Sequence, residues 1–288
     1  MRTLYIDCFS GISGDMTIGA LLDTGISIKF LEEELFKLGI HQEYELKTER
    51  VNKNGISSLK FDVLFDDHHE HGHHHHHHDH NHVREHDHDH GHHHKHGHHH
   101  EHEHNHQHDH HHIHDHHHHR TYKDIVELIA NSELSDSVKE ISQKIFRVIG
   151  EAEAKIHGMD LEKVHFHEVG AIDSIIDIVG TAILIDKLAV NQIIASPVPT
   201  GSGRIKIDHG IYPVPAPATL EILKNVPLQN IDVTAELTTP TGAAIIKVLV
   251  DEFSQSVPSM KINQTGYGAG TKTFREHPNV LRVMLGDF

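Results

Sequence analysis

The stretch RTLYIDCFSGISGDMTIGALLDTG, residues 2–25, predicts a strand, a tight turn and a helix in immediate succession. Residues 2–8 are mostly apolar and have the composition of a buried first strand. Gly11 and Gly14 punctuate the turn, and residues 15–24 form an apolar helical run that a glycine ends. A strand that leads directly into a helix is typical of layered folds in which helices cover a sheet.

The segment that follows continues this alternation of helix and strand. Apolar residues at helical spacing over 28–38 predict a second helix with Ser27 as its cap. Residues 44–51 and 56–65 predict a hairpin around Asn54-Gly55, a dipeptide typical of two-residue turns.

The part of the chain after residue 120 predicts further helices and strands in mixed order. Strands and helices arranged in this way predict an α/β to α+β fold, a mixed sheet with packed helices. We expect residues 1–65 and 121–288 to form this fold together, as one discontinuous domain or as two subdomains. The predicted elements are a helix opened by a Thr121–Asp124 capping box, helices over 138–156 and 173–190, a strand over 192–197, a strand pair within 202–215, a short helix from Pro217, a helix from Thr239-Pro240 to about Phe253, and strands over 260–264 and 279–285.

Residues 66–120, which separate these two parts, are dominated by histidine. The chain contains 39 histidines, and 33 of them lie between His68 and His119 among acids, glycines and asparagines. Such a segment cannot bury enough apolar surface to offset the entropy of ordering it, so we expect a disordered His-rich insert. Neutral imidazoles bind Ni²⁺, Zn²⁺, Cu²⁺ and Co²⁺, and this binding weakens as the pH falls. We interpret the segment as an exchangeable metal pool, with a solubilising insert as the alternative. Its dense runs include His73, His74, His75, His98, His99, His100, His116 and His117.

Charge and hydropathy exclude several classes of function. The formal net charge of −17 argues against nucleic acid as a partner. The best candidate for a membrane span, residues 175–190, is shorter than the roughly 20 residues required and is interrupted by charges. Residues 1–7 lack the apolar core of a signal peptide, and a single cysteine, Cys8, cannot form an internal disulfide. We therefore expect a cytoplasmic protein without a membrane partner.

The turn after the first strand is a candidate phosphate site. Backbone N–H groups at the start of a helix hold phosphates or carboxylates, and two acids beside the turn suit a divalent ion. The alternative is a structural turn in which an acid favours the helix dipole, and the residue types do not decide between the two. The candidate phosphate- or substrate-binding residues here are Asp7, Ser10, Gly11, Ser13, Gly14 and Asp15.

The sequence HFHE at 165–168 is a candidate for a fixed metal site. In an extended segment His165 and His167 face the same side, with Glu168 at the edge, so they are spaced to chelate one ion. Asp173 and Asp177 follow four residues apart, on one face of a helix that is otherwise almost apolar. The alternative is a helix with one wet face, Asp173 as its N-cap, and histidines that bond locally.

Two further segments carry candidate site residues. His209 precedes a proline-stiffened loop and is a candidate metal ligand or general base, with a hairpin-turn histidine as the alternative. Thr239 and Thr241 lie at the start of a helix, where hydroxyl groups bind an anion or cap the helix. Residues 266–270 predict a flexible glycine-rich loop.

These motifs together resemble the LarC family of nickel insertion proteins. The resemblance covers nearly all of the chain outside the His-rich segment, and the position of that segment is similar as well. It is carried by DCFSGISGDM at 7–16, HFHEVGAIDSIIDIVG at 165–180, HGIYPVPAPA at 209–218, ELTTPTGA at 236–243 and GYGAG at 266–270.

The resemblance implies a nickel chelatase, a metal-inserting lyase that makes the nickel pincer cofactor of lactate racemase from pyridinium-3,5-bisthiocarboxylic acid mononucleotide. It also implies that the reaction consumes CTP with Mg²⁺ or Mn²⁺, and that proteins of the lactate racemase pathway are partners. Family members commonly continue into a C-terminal part that binds the nucleotide, so we expect this chain to correspond to the N-terminal part. The His-rich segment would then be a nickel pool that supplies His165, His167 and Glu168.

Two alternatives stay open at this point. One is a nickel storage or buffering protein without catalysis. The other is a metal-dependent phosphohydrolase built on Asp7, Asp15, His165, His167 and Asp173. A homo-oligomer is compatible with either.

Overall fold

The structure, a computed structural model, describes residues 1–65, 120–164, 166, 172–207 and 210–288. The predicted disorder of the His-rich insert falls on residues 66–119, outside this range, and stays a prediction. The proposed grouping of 1–65 with 121–288 into one domain also stays a prediction, although strands from both parts share one sheet.

The described residues form a mixed α/β fold, as the order of elements predicts. The helices are α1 Gly14–Asp23, α2 Ile28–Phe36, α3 Tyr122–Asn131, α4 Asp136–His157, α5 Ile172–Leu188, α6 Pro217–Ile222 and α7 Pro240–Leu249. The strands are β1 Arg2–Asp7, β2 Glu45–Lys53, β3 Ile56–Leu64, β4 Gln192–Ala195, β5 Val198–Pro199, β6 Arg204–Ile207, β7 Gly210–Pro213, β8 Leu228–Gln229, β9 Glu252–Phe253, β10 Lys261–Ala269 and β11 Val280–Asp287.

Seven of these strands form one mixed sheet in the order β2-β3-β10-β11-β1-β4-β9. The central strand β1 pairs antiparallel with β11 and parallel with β4. Alternate residues of β1 face opposite sides, so Leu4 and Ile6 join the main apolar core with the helices, whereas Tyr5 joins a small separate cluster. The helices therefore pack on the Leu4 side, and α1 lies against β10, β3 and α5.

Local sequence signals set the ends of several elements. Asn54 and Gly55 both have positive φ, as the two-residue hairpin turn requires. The Thr121 hydroxyl accepts the N–H of Asp124, and the Asp124 carboxylate accepts the N–H of Thr121, which completes the predicted capping box. Thr239 caps α7, where Pro240 occupies the first turn. These three predictions are confirmed.

The prediction of a flexible loop at 266–270 is wrong for most of that stretch, because β10 continues to Ala269. The glycines serve close packing of α1 on the strand. A Cβ on Gly268 would lie 1.8 Å from the backbone oxygen of Met16, and one on Gly266 would lie 2.0 Å from that of Ala20. Only glycine lets the helix backbone approach the strand this closely.

Two helix ends differ from the predictions. Helix α7 ends at Leu249, not near Phe253, because residues 252–253 pair with β4 as a short parallel strand. Helix α5 begins at Ile172, so Asp173 lies in the first turn and is not the N-cap. Of the helices that the structure describes, none has the length and apolar composition of a membrane span.

Candidate functional site

A cavity of about 360 Å³ opens where the starts of α1, α5 and α7 meet β3. It brings together the predicted site residues Ser13, Gly14, Asp15, Asp173, Asp177, Thr239 and Thr241, which lie in three separate motifs. Lys60, Phe61, Asp62, Val63, Ser174, Glu236, Pro240 and Thr271 complete the lining. Convergence of distant polar residues on one cavity makes it the candidate site.

The start of α1 and the first turns of α5 are in direct contact on one side of the cavity. The Asp177 carboxylate accepts the backbone N–H of Asp15, and the Ser13 hydroxyl donates to the Asp15 carboxylate. A Cβ on Gly14 would lie 2.3 Å from Oδ2 of Asp177, so glycine is required for this approach. Because Asp177 already accepts an N–H at the start of α1, phosphate binding at this turn stays a prediction.

Lys60 supplies positive charge to the cavity from β3. Its Nζ lies 2.7 Å from Oδ2 of Asp15 and 2.8 Å from Oδ1 of Asp62, and it also donates to the Phe61 carbonyl. The Lys60 side chain is only 12% exposed. Burial opposes its charge, but the carboxylates of Asp15 and Asp62 outweigh burial and raise the pKa of Lys60.

Burial acts on the two carboxylates of α5 that line the cavity, Asp173 and Asp177. Burial raises the pKa of Asp177 well above its ordinary value, and the charges of Asp15 and Asp173 raise it further while Lys60 opposes the rise. Burial also raises the pKa of Asp173, against hydrogen bonds from the backbone. A divalent cation placed among these groups would oppose this rise in pKa, because a nearby positive charge favours the ionised form of a carboxylate.

Further parts of the cavity lining come from the residues before and at the start of α7 and from the segment after β10. The Thr239 hydroxyl accepts the N–H of Gly242 at 3.1 Å, so capping accounts for its acceptor role. Lys272 Nζ donates to the Glu236 carbonyl at 3.1 Å, which joins the two segments.

The first half of the turn after β1 does not line the cavity. Asp7 forms an ion pair with Arg282 on β11, in which Nη2 of Arg282 lies 2.5 Å from Oδ2 of Asp7. Ser10 is fully buried, and a Cβ on Gly11 would lie 2.0 Å from the Leu237 carbonyl oxygen. Asp7 and Asp15 thus have different cationic partners, Arg282 and Lys60.

The strongest predicted metal ligands lie outside the described residues. These are His165, His167, Glu168 and His209, together with the eight histidines of the proposed pool. Within the described ranges, no three His, Cys, Asp or Glu side chains are placed to hold one metal ion. Within the HFHE motif the structure describes only Phe166, which is buried, as is Val164 directly before the motif.

Comparison with known proteins gives a consistent result over the whole chain. The nickel insertion protein family matches residues 4–287. The chain belongs to this family. It is 50% identical over 287 residues to a protein of Clostridium acetobutylicum named pyridinium-3,5-bisthiocarboxylic acid mononucleotide nickel insertion protein, with all of the chain and 64% of that relative covered. A protein of the same name from Geobacillus kaustophilus is 47% identical over 287 residues, with all of the chain and 60% of the relative covered. No solved structure matches the chain.

The chain therefore spans about three fifths of the length of these curated relatives. Family membership confirms the resemblance that the five motifs indicate. The structure adds that motifs far apart in the chain of a nickel insertion family member, at 7–16, 165–180 and 236–243, contribute to one cavity.

Sequence reasoning missed Lys60 and Asp62. The alternation of Leu59, Phe61 and Val63 on β3 indicates a strand, but it does not indicate what the polar residues between them contact. A lysine flanked by an acid two residues later on one strand face is a weak signal, since most such pairs are solvated. Only the packing of α1 against β3 brings Lys60 to Asp15.

Proposed function

We propose that this chain acts in nickel insertion into pyridinium-3,5-bisthiocarboxylic acid mononucleotide, as part of a nickel chelatase of the lyase class. The observation that carries the proposal is the convergence of Asp15, Asp173 and Asp177 on one open cavity in a member of the nickel insertion family. The product would be the nickel pincer cofactor of lactate racemase.

The charge of the cavity suits nickel as the substrate that enters it. Lys60 is the cationic side chain among the lining residues, against the carboxylates of Asp15, Asp62, Asp173, Asp177 and Glu236. Such a lining attracts a divalent cation and favours its loss of water. Oxygen ligands hold Ni²⁺ less strongly than sulfur does, so thiocarboxylate groups are suited to take the ion over.

We propose that His165, His167, Glu168 and His209 complete the nickel site. The sequence supports this proposal for the HFHE motif, because Glu168 precedes Asp173, which lines the cavity, by only five residues. A site that combines imidazole with the carboxylates of α5 would bind Ni²⁺ more selectively than an all-oxygen site.

We also propose that the His-rich segment supplies the cavity with nickel. The described residues at its two ends support this role. Val63, close to the start of the segment, lines the cavity, and Arg120 at its end is linked to Glu43, just before β2. Tyr122 then binds the residue that precedes His165.

Among the described residues, the cavity does not form a complete site for the CTP and the Mg²⁺ or Mn²⁺ that the family implies. The cavity offers the oxygen donors that these ions prefer, but within the described ranges no three acids are placed to hold one ion. We propose that a C-terminal part, supplied on the same chain or separately, binds CTP, and that the reaction occurs in the cytoplasm with lactate racemase pathway proteins as partners.

An assay of nickel insertion into the precursor, monitored by the absorbance of the product, tests the proposal. The product is measured because the 33 histidines of the His-rich segment bind nickel whatever the cavity does. The chain is assayed with CTP, with and without the C-terminal part of a relative. We expect Asp173→Asn/Asp177→Asn to abolish insertion, and Asp160→Asn, an exposed acid paired with Lys163, to leave it unchanged. Wild-type insertion by the double variant would overturn the proposal.

A nickel store without catalysis is the second candidate, favoured by the number of histidines in residues 68–119. It predicts that removal of this segment abolishes the function, whereas an insertion protein keeps turning over when nickel is abundant. The phosphohydrolase alternative is not favoured, because Asp7 pairs with Arg282 away from Asp15.

A further inference from the structure

The tip of the β2–β3 hairpin grips the segment that follows β10. The Lys53 ammonium donates to the carbonyl oxygens of Thr271 at 3.3 Å and Lys272 at 3.1 Å, and to Oγ1 of Thr273 at 3.2 Å. Its neighbour Asn54 donates from Nδ2 to the Arg275 carbonyl at 3.1 Å. An ammonium has three donors, so Lys53 commits all of them to one segment. We call these four hydrogen bonds the hairpin clasp.

The gripped segment forms part of the cavity lining. Thr271 lines the cavity, and Lys272 holds the Glu236 carbonyl through its own ammonium. Residues 270–279 form no helix or strand, so their backbone conformation depends on hydrogen bonds to neighbouring segments. Asn279 binds the Lys272 carbonyl from inside the fold at 2.9 Å, and Lys53 binds the same carbonyl from outside.

The hairpin that provides the clasp also forms part of the lining, through residues 60–63 of β3. Among the residues that the structure describes, its direct strand pairing with the rest of the sheet is one pair, Leu59 with Gly268. The clasp is therefore a main polar link between two walls of the cavity, β3 and the 271–275 segment. Burial and the nearby Lys60 ammonium lower the pKa of Lys53, which agrees with its position close to the charges of the cavity.

We propose that Lys53 is a positioning residue, which holds the 271–275 segment against the hairpin and so fixes the width of the opening through which the nucleotide substrate enters. Lys53 does not line the cavity, so it acts through Thr271 and Lys272. The identity of the substrate in this inference rests on the proposed function. The hydrogen bonds of the hairpin clasp do not depend on that function.

Two measurements on the full chain test this inference separately. The first is amide hydrogen exchange of residues 271–276, which we expect to become at least about tenfold faster in Lys53→Met, because the segment opens locally more often. The second is the Kd for pyridinium-3,5-bisthiocarboxylic acid mononucleotide by equilibrium dialysis with a metal chelator, which we expect to rise about fivefold or more as the site loses preorganisation.

Three variants serve as comparisons. Lys53→Arg keeps hydrogen-bond donors at this position, so its exchange rate and its Kd should both be close to those of the wild type. Asn54→Gly keeps the positive φ of the turn, removes one bond of the clasp and should give an intermediate exchange rate. Lys47→Met removes an exposed lysine of the same strand, whose partner Glu49 is 3.6 Å away, and should change neither value.

Each result decides a different point. Unchanged exchange in Lys53→Met would show that the hairpin clasp does not hold the 271–275 segment. Faster exchange with an unchanged Kd would overturn the positioning role of Lys53. Failure of the wild-type chain to bind the nucleotide would overturn the proposed function and the assigned substrate, while the exchange data would still decide the clasp.

Discussion

Replacement of residues 66–119 by a ten-residue Gly/Ser linker is expected to stabilise the protein while removing most of its nickel-binding capacity. The composition of this segment predicts that it adds no apolar packing to the fold. If so, its effect on folding is the entropic cost of closing a long loop. A shorter loop should lower that cost.

The described residues on either side of the segment show that a short linker can bridge the gap. Leu64 pairs with Glu45 across the hairpin, and Arg120 binds the Glu43 carboxylate at 2.8 Å. Paired strand residues are about 5 Å apart and two residues of chain span about 7 Å, so the gap is on the order of 25 Å or less. Ten extended residues reach about 33 Å.

The size of the effect follows from the change in loop length. The segment has 54 residues, and its reduction to about ten lowers the closure cost by about 1.5 kcal/mol. For a domain of this size that corresponds to a rise in Tm of roughly 3–6 °C. The comparison must be made with a chelator present, because metal bound to the native state adds its own stabilisation.

Urea unfolding and nickel analysis of the purified chains measure the two effects. A control of unchanged length, with each histidine of 66–119 replaced by glutamine, should lose the same nickel and show no gain in stability. A lower unfolding midpoint for the linker variant would show that the segment packs on the fold, and would refute the reasoning. Unchanged nickel content would refute its role as a pool.

The remaining predictions concern the cavity and the helix that supports it. Lys60→Met removes the cation between two carboxylates and should cost about 3 kcal/mol in urea unfolding, and an unchanged midpoint would contradict the ion-pair assignment. The pKa of Asp177 is raised in the fold, so its contribution is most favourable at low pH and is lost as the pH rises from the ordinary carboxyl value through the raised one. Asp177→Asn should therefore be more stable than wild type at pH 7 in chelator, with a difference that shrinks towards pH 4, and a constant difference would count against burial as the cause. Gly268→Ala should cost about 3 kcal/mol or more, since its Cβ would lie 1.8 Å from the Met16 carbonyl oxygen. Gly180→Ala meets only a flexible side-chain end at 2.8 Å and should cost far less, and equal losses in thermal unfolding would exclude backbone overlap as the reason.

The predictions that succeeded depend on short stretches of chain. The Asn54-Gly55 turn and the cap at Thr239 are formed by residues within about four positions of each other, so their hydrogen bonds are encoded locally. The failures involve distant partners. Residues 266–269 looked like a loop because their glycines lack side chains, but α1, some 250 residues earlier in the chain, uses that lack to pack closely.

For the candidate site, the sequence singled out Asp15, Asp173 and Asp177, but it did not indicate which partners these carboxylates have in the fold. Asp7 and Asp15 were paired as a possible ion site because they flank one turn. In the fold, Asp7 lies beside Arg282 and Asp15 lies beside Lys60, at sequence separations of 275 and 45 residues. Residues that are adjacent across a sheet or a helix interface leave no periodic trace in the sequence, so neither pairing was predictable.

The sequence by itself determined the mixed α/β class, the capped starts of α3 and α7, the abundance of metal-binding side chains, and the motifs that indicate the nickel insertion family. These depend on composition, local hydrogen bonds and the order of residue types. Only the tertiary structure decided that Asp15, Lys60 and Asp177 meet around one cavity, and that Lys53 ties two of its walls together. Their charges interact through space at a few ångströms after folding, and it is the burial of apolar helices against the sheet that brings them there.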